Sequence, residues 1–64
     1  MAMPEKMRKL RETAGLTQME VARRLNCTSS AVNQYETGKR TPRFAVVVKL
    51  AEIYNCSVDA FIKE

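Results

Sequence analysis

The chain has no histidine and only two cysteines, so it lacks the side chains that most often act as general bases and metal ligands. Cys27 and Cys56 lie far apart, and neither has a second cysteine beside it. The sequence therefore contains neither a zinc-ligand pair nor a Cys-X-X-Cys redox pair. A chain of 64 residues also has little material to enclose a substrate pocket. We expect no enzymatic activity, no metal site and no cofactor.

Long apolar runs are also missing. The longest one, residues 44–48, has five residues, whereas a membrane-spanning helix needs about 18. No charged segment followed by an apolar one opens the chain, as it would in a signal peptide. Since 64 residues are too few for two cores, we predict a single domain over residues 1–64, located in the cytoplasm.

Acidic side chains are fewer than basic ones, and the imbalance is uneven along the chain. The chain has eleven Lys and Arg and seven Asp and Glu, which gives a net charge of +4. Residues 1–43 hold nine basic and four acidic side chains, and residues 44–64 hold two and three. A basic face would favour a polyanionic partner. A surface that is merely soluble would show the same excess, so charge alone leaves both interpretations open.

Apolar spacing and capping residues predict an all-α fold with five helices. Thr17 and Glu20 form a capping-box pattern, and Asn26 can adopt the left-handed conformation that ends a helix. The predicted helices run from near Pro4 to Gly15, from Gln18 to Asn26, from Thr28 to about Glu36, from Arg43 or Phe44 to about Tyr54, and briefly after Ser57.

Helical periodicity also predicts which side chains are buried. Val46 and Ile53 are expected on the outer face of the fourth helix, and both cysteines are expected as buried, reduced thiols rather than as a disulfide. Because all four aromatic residues fall on inward positions, single-stranded nucleic-acid binding is disfavoured. The predicted inward set is Met3, Met7, Leu10, Ala14, Val21, Ala22, Leu25, Cys27, Ala31, Val32, Tyr35, Phe44, Val47, Ala51, Tyr54, Cys56, Val58, Phe61 and Ile62.

The second and third predicted helices, with the turn between them, have the length of a helix-turn-helix, residues 17–37. At this point the chain resembles the Cro/CI-type (XRE-like) helix-turn-helix family of phage and bacterial regulators. The matching strings are Leu10-Arg11, Gly15-Leu16-Thr17-Gln18, Val21-Ala22, Tyr35-Glu36-Thr37-Gly38-Lys39-Arg40, Pro42 and Ser57-Val58-Asp59. The resemblance implies a compact five-helix bundle of the lambda-repressor-like DNA-binding type.

The resemblance also implies roles for individual residues. Residues 28–36 would be the recognition helix in the major groove, although a solvated polar face would have the same composition. The implied base contacts are Ser29, Ser30, Asn33 and Gln34. The implied phosphate contacts are Gln18, Thr37, Lys39, Arg40 and Arg43, and the implied structural ion pair is Arg11 with Glu36. Asn and Gln can bind the two-point edge of adenine, and this face has no Arg to bind guanine.

The function that we expect is sequence-specific binding of double-stranded DNA by a small, stand-alone regulator, either a repressor or a Cro-like switch protein. We expect a homodimer on palindromic half-sites, with contacts near Val58 favoured over contacts at Val46 and Ile53. The expected location is the cytoplasm, at the nucleoid, for a protein of bacterial or phage origin. Two alternatives remain: an antitoxin-type protein-interaction module with secondary DNA autoregulation, and a restriction-modification controller protein. The operator and the sign of regulation do not follow from the sequence.

Overall fold

The computed structural model describes residues 2–62, and within this range it contains five α-helices and no strand. The all-α prediction is therefore confirmed, and each predicted helix is present within a residue or two of its expected position. The helices are α1 (Met3–Thr13), α2 (Gln18–Leu25), α3 (Ser29–Thr37), α4 (Phe44–Ile53) and α5 (Asp59–Ile62).

Local capping positions α2 and α3. The backbone N–H of Glu20 donates to Thr17 Oγ1 at 3.1 Å, and the backbone N–H of Thr17 donates to Glu20 Oε1 at 2.8 Å. Asn26 ends α2 in the left-handed conformation at φ 60°, and Thr28 Oγ1 then accepts from the backbone N–H of Ala31 at 3.1 Å. These caps confirm the predicted capping box and both predicted helix boundaries.

The core lies where all five helices meet. Tyr54 and Phe61 stack with ring centroids 6.3 Å apart, which joins the end of α4 to α5. Leu50, which the periodicity argument omitted, is buried beside Val47 on the inner face of α4. The buried cluster consists of Met7, Val21, Ala22, Val32, Val47, Leu50, Ala51, Tyr54 and Phe61.

Some predicted burials are wrong, and three of them occur at helix ends. Phe44 is 71% exposed because it begins α4 immediately after the N-cap Arg43, one turn beyond the core. Ile62 is 58% exposed in the last turn of α5. Ala14 is exposed because α1 ends at Thr13. Phe44 and Ile62 continue the predicted helical faces, but the bundle does not extend far enough to cover them, whereas Ala14 lies beyond the end of its helix.

Two further predictions about α4 and the cysteines need correction. Val46 and Ile53, expected on the outer face, are half-buried and pack against the core cluster. Cys27 is exposed in the turn before α3, whereas Cys56 is half-buried. Both thiols are free, as expected, and burial raises the pKa of Cys56. The exposed Cys27 shows that an apolar side chain in a tight turn need not point inward.

The sequence predicts neither a membrane-spanning helix nor a metal-binding cluster, and residues 2–62 of the structure bear on both points. None of the helices there has both the length and the apolar character that crossing a bilayer requires. The same residues contain no cluster of three or more His, Cys, Asp or Glu that could hold a metal ion.

Candidate nucleic-acid interface

The ion pair that the resemblance implies, Arg11 with Glu36, is present and joins α1 to α3. Arg11 Nε donates to Glu36 Oε2 at 2.7 Å, and Arg11 Nη2 donates to Glu36 Oε1 at 3.1 Å. The two side chains are 13% and 3% exposed. Hydrogen bonding to Glu36 raises the pKa of Arg11 above its ordinary value, although desolvation opposes that shift. The pair is thus bidentate and mostly withdrawn from solvent.

Arg11 also holds the segment that leads into α2. Its Nη1 donates to the backbone carbonyl of Leu16 at 2.9 Å. A single guanidinium therefore fixes the end of α3 and the chain just before the N-cap of α2. Because a guanidinium has five N–H donors in a planar arrangement, it can make these contacts at once, which a lysine could not.

Gln18 connects the N-terminus of α2 with α3. Its Nε2 donates to Glu36 Oε1 at 3.1 Å and to Asn33 Oδ1 at 3.2 Å. Both hydrogens of the side-chain amide are therefore used within the protein. No sequence pattern signals these contacts, since they depend on how α2 and α3 pack.

The first turn of α2 leaves backbone donors at its positive end. Thr17 accepts from the backbone N–H groups of Glu20 and Val21. No hydrogen bond is made by the backbone N–H groups of Gln18 and Met19, judged over residues 2–62. Free N–H groups at a helix N-terminus favour an anion such as a phosphate. The backbone of Gln18, rather than its occupied side chain, is therefore what this end of α2 offers.

The outward face of α3 is polar. Ala31 and Val32 are buried beneath it. The four implied base-contact residues lie on its outer side: Ser29, Ser30 and Asn33 are exposed, and Gln34 is half-buried. Side chains exposed on a helix in this way can contact a binding partner, and their hydroxyl and amide groups can both donate and accept hydrogen bonds.

The segment after α3 carries exposed cations. Gly38 ends α3 in the left-handed conformation at φ 82°, and the buried Pro42 attaches the segment to the bundle. Lys39, Arg40 and Arg43 are all exposed between these points or directly after them. The backbone N–H of Arg40 donates to the carbonyl of Gln34 at 3.2 Å, which keeps the segment beside the end of α3.

Thr37, the remaining implied phosphate contact, uses its hydroxyl within α3. Its Oγ1 donates to the backbone carbonyl of Asn33 at 2.9 Å. A hydroxyl has only one hydrogen, so this side chain keeps acceptor capacity but presents no free donor. Phosphate oxygens accept hydrogen bonds, so the donors available near the end of α3 are those of the loop that follows it rather than that of Thr37.

Comparison with known protein families gives one match that covers nearly the whole chain. The family described as "Helix-turn-helix domain" matches residues 5–61. This span includes all of α2 to α4 and most of α1 and α5.

Two proteins of Bacillus subtilis (strain 168) are similar in sequence. The HTH-type transcriptional regulator ImmR is 34% identical over 59 residues, which are 92% of this chain and 46% of that protein. The uncharacterized HTH-type transcriptional regulator YqaE is 32% identical over 59 residues, 92% of this chain and 51% of that protein. The chain thus spans about half the length of these curated relatives.

Among solved structures, the P22 c2 repressor protein has a closely similar fold. Its crystal structure in complex with a synthetic operator superimposes with a TM-score of 0.89 at 22% sequence identity. The match covers 98% of this chain and 96% of that one. The five helices therefore have the arrangement found in that repressor.

Proposed function

The chain belongs to the helix-turn-helix domain family, and from this premise we propose that it is a non-catalytic transcriptional regulator that binds double-stranded DNA sequence-specifically, most simply as a repressor. One observation carries the proposal: hydrogen bonds hold two groups that could bind phosphate next to the polar face of α3. The Gln18–Asn33 hydrogen bond holds the N-terminus of α2 beside that face. The Arg40–Gln34 hydrogen bond holds residues 38–43, the basic loop, beside the end of α3.

This arrangement fits a duplex physically. The major groove is wide enough for an α-helix, and phosphate chains run along both of its edges. With α3 in the groove, the backbone N–H groups of Gln18 and Met19 would meet one chain, and the basic loop would meet the other. Phosphate contacts would fix the position of α3 on the duplex, while its outward side chains read the bases. The proposed base-reading set remains Ser29, Ser30, Asn33 and Gln34.

The basic loop would supply affinity that does not depend on sequence. Lys39, Arg40 and Arg43 are exposed, so each can replace condensed counterions on a phosphate. The Glu36 carboxylate of α3 is buried and paired with Arg11. It therefore does little to offset the three cations at the surface that would meet DNA.

We further propose that the active form is a homodimer on palindromic half-sites, with residues 55–60 as the contact region. A single α3 reads only a few base pairs, and two copies related by a two-fold axis would double the reading and the phosphate contacts. Val58 in this segment is half-buried and keeps apolar surface available. The bacterial regulators that match this chain support a site of action at the nucleoid.

The test is a selection of bound duplexes from a random library, followed by footprinting of the best sequence and of a scrambled duplex. A regulator of the proposed kind should enrich one palindromic sequence and protect both half-sites. Enrichment of no sequence, with equal affinity for scrambled duplex at every salt concentration, would contradict sequence-specific binding. Protection of a single half-site at saturating protein would contradict the dimer.

A second candidate function is a protein-interaction module of the antitoxin type. Within residues 2–62, three large apolar side chains are exposed on the surface, Met19, Phe44 and Ile62, and such groups can serve protein contacts. Purification of the chain from its native cells with one stoichiometric partner, combined with no duplex enrichment, would favour this function over DNA binding.

A further inference from the structure

The hydrogen bonds around Gln18 fix which end of the Asn33 side-chain amide faces outward, and we propose that Asn33 presents its NH₂ group to DNA. It would then prefer a base that presents a carbonyl oxygen in the major groove, guanine or thymine, over cytosine, which presents only a donor there. This inference rests on the proposed function.

The direction of the network is set by a carboxylate. Glu36 Oε1 lies 3.1 Å from the Gln18 side chain, and an ionised carboxylate can only accept hydrogen bonds. Gln18 must therefore turn its NH₂ group, not its carbonyl oxygen, toward Glu36. The orientation of the first amide follows from chemistry alone.

The orientation passes from the first amide to the second. The same Gln18 nitrogen lies 3.2 Å from the Asn33 side chain, and a nitrogen with two hydrogens requires an acceptor there. Asn33 must supply its Oδ1. Since Oδ1 and Nδ2 are on opposite sides of the same carbon, the NH₂ group of Asn33 is the end turned away from Gln18.

The Glu36 carboxylate, which sets the direction of these hydrogen bonds, is held in place by Arg11. Glu36 is only 3% exposed and accepts two hydrogen bonds from Arg11, at 2.7 Å and 3.1 Å. Turning the carboxylate away would leave a buried charge without its partner, which is strongly unfavourable. Gln18 itself is half-buried. Arg11, Glu36 and Gln18 thus form a polar network that orients Asn33, which alone among the four is exposed.

Base chemistry then determines what Asn33 can read. Guanine presents the acceptors O6 and N7 in the major groove, and thymine presents O4. Cytosine presents only its N4 donor, which would face the Asn33 donor. Adenine keeps an acceptor at N7 that the Asn33 NH₂ group can bind, so the discrimination is against cytosine. Gln18 is accordingly a positioning residue for base specificity.

The experiment compares duplex selections by the parent chain, Asn33→Ala, Gln18→Leu and Gln34→Ala. Asn33→Ala identifies the base position that residue 33 reads. At that position the parent should bind guanine or thymine about tenfold more tightly than cytosine. Gln18→Leu keeps the bulk of the side chain but frees the Asn33 amide to turn its Oδ1 toward the N4 donor of cytosine, so this preference should fall severalfold.

Gln34→Ala is the matched control, because Gln34 lies on the same face but outside the network. It should weaken binding overall, through its own proposed base contact, but leave the preference at the Asn33 position unchanged. The readout is a ratio between duplexes with identical phosphates, so a general loss of affinity in either variant cancels. Three results would overturn the inference: parent preference for cytosine, an unchanged preference in Gln18→Leu, or no base position that responds to Asn33→Ala.

A measurement without DNA separates this inference from the proposed function. In the nitrogen-15 spectrum of the free protein, the side-chain amide signals of Asn33 should move in Gln18→Leu, while those of Gln34 should not. Unchanged Asn33 signals would disprove the network even if the chain binds DNA. Conversely, shifted signals in a chain that enriches no duplex would refute the proposed function and leave the network intact.

Discussion

Single side chains on α3 and in the basic loop should act on different parts of the DNA-binding free energy. Gln34 is half-buried on the outer side of α3 and can offer a donor and an acceptor to one base edge. Gln34→Ala should weaken binding to the selected operator by about 1 to 3 kcal/mol and relax preference at one base position per half-site. Titration against operator and scrambled duplex checks this: equal losses on both duplexes would show that Gln34 does not read bases.

Arg43 should behave in the opposite way. It is exposed at the N-cap of α4, where its guanidinium can reach a phosphate that is the same beside every sequence. Arg43→Ala should weaken operator and scrambled duplex alike, and lower the slope of log affinity against log salt by about one for each phosphate that is no longer neutralised. Lys49→Ala, which removes an exposed cation within α4, is the control. A loss confined to the operator, with an unchanged salt slope, would argue against a phosphate contact.

Local conformation at single residues could be predicted from the sequence, but exposure and contacts between helices could not. Asn26 and Thr28 were placed correctly because their conformations and caps depend on immediate neighbours. The exposure of Phe44 and Cys27 was missed because it depends on where the bundle ends in space. The Gln18–Asn33 contact was missed for the same reason: it joins residues from two helices and leaves no periodic pattern.

Among the helices, α2 depends most clearly on its capping box. Thr17→Ala removes the acceptor for the backbone N–H of Glu20 and should lower the free energy of unfolding by about 1 kcal/mol. Urea unfolding followed by circular dichroism measures this. Thr13→Ala, an exposed position at the end of α1, serves as the control. Equal midpoints for the two variants would contradict the capping role.

The capping box should also make α2 sensitive to acid. The hydrogen bonds from Thr17 hold the pKa of Glu20 below its ordinary value of 4.5. A carboxyl whose pKa is lower in the folded state stabilises the fold above the unfolded pKa, and this contribution disappears as the pH falls through the folded pKa. Glu20→Gln should therefore be less stable than the parent at pH 7, and the difference should shrink below about pH 4.5. A constant difference down to pH 2 would exclude the charge effect.

The contact between α1 and α3 should show strong coupling. Arg11→Ala or Glu36→Ala alone leaves a mostly buried charge without its partner and should cost about 3 kcal/mol. The double variant should recover part of that loss, since neither charge remains. Thermal unfolding of the three variants completes the cycle. Single variants that unfold at the parent temperature would show that the pair contributes nothing.

For the whole molecule, the main expectation is weak self-association in the absence of DNA. Among residues 2–62 the exposed large apolar side chains are Met19, Phe44 and Ile62, and none of them lies in the proposed contact segment, residues 55–60. Sedimentation velocity should show monomer at micromolar concentration and a two-to-one complex on a palindromic duplex. Val58→Lys should reduce binding to two half-sites more than to one. A stable dimer that survives this substitution would place the contact elsewhere.

The polar network divides α3 into two parts with different freedom to diverge. Asn33 is tied through Gln18 and Glu36 to the Arg11 ion pair, so on the proposed function a change at Gln18 or Glu36 would alter stability and target preference together. The side chains of Ser29, Ser30 and Gln34 take no part in the network. Retargeting such a domain to a new operator, by evolution or by engineering, would then be open at these three positions without disturbing the network, while Asn33 would provide a constant element that related operators share.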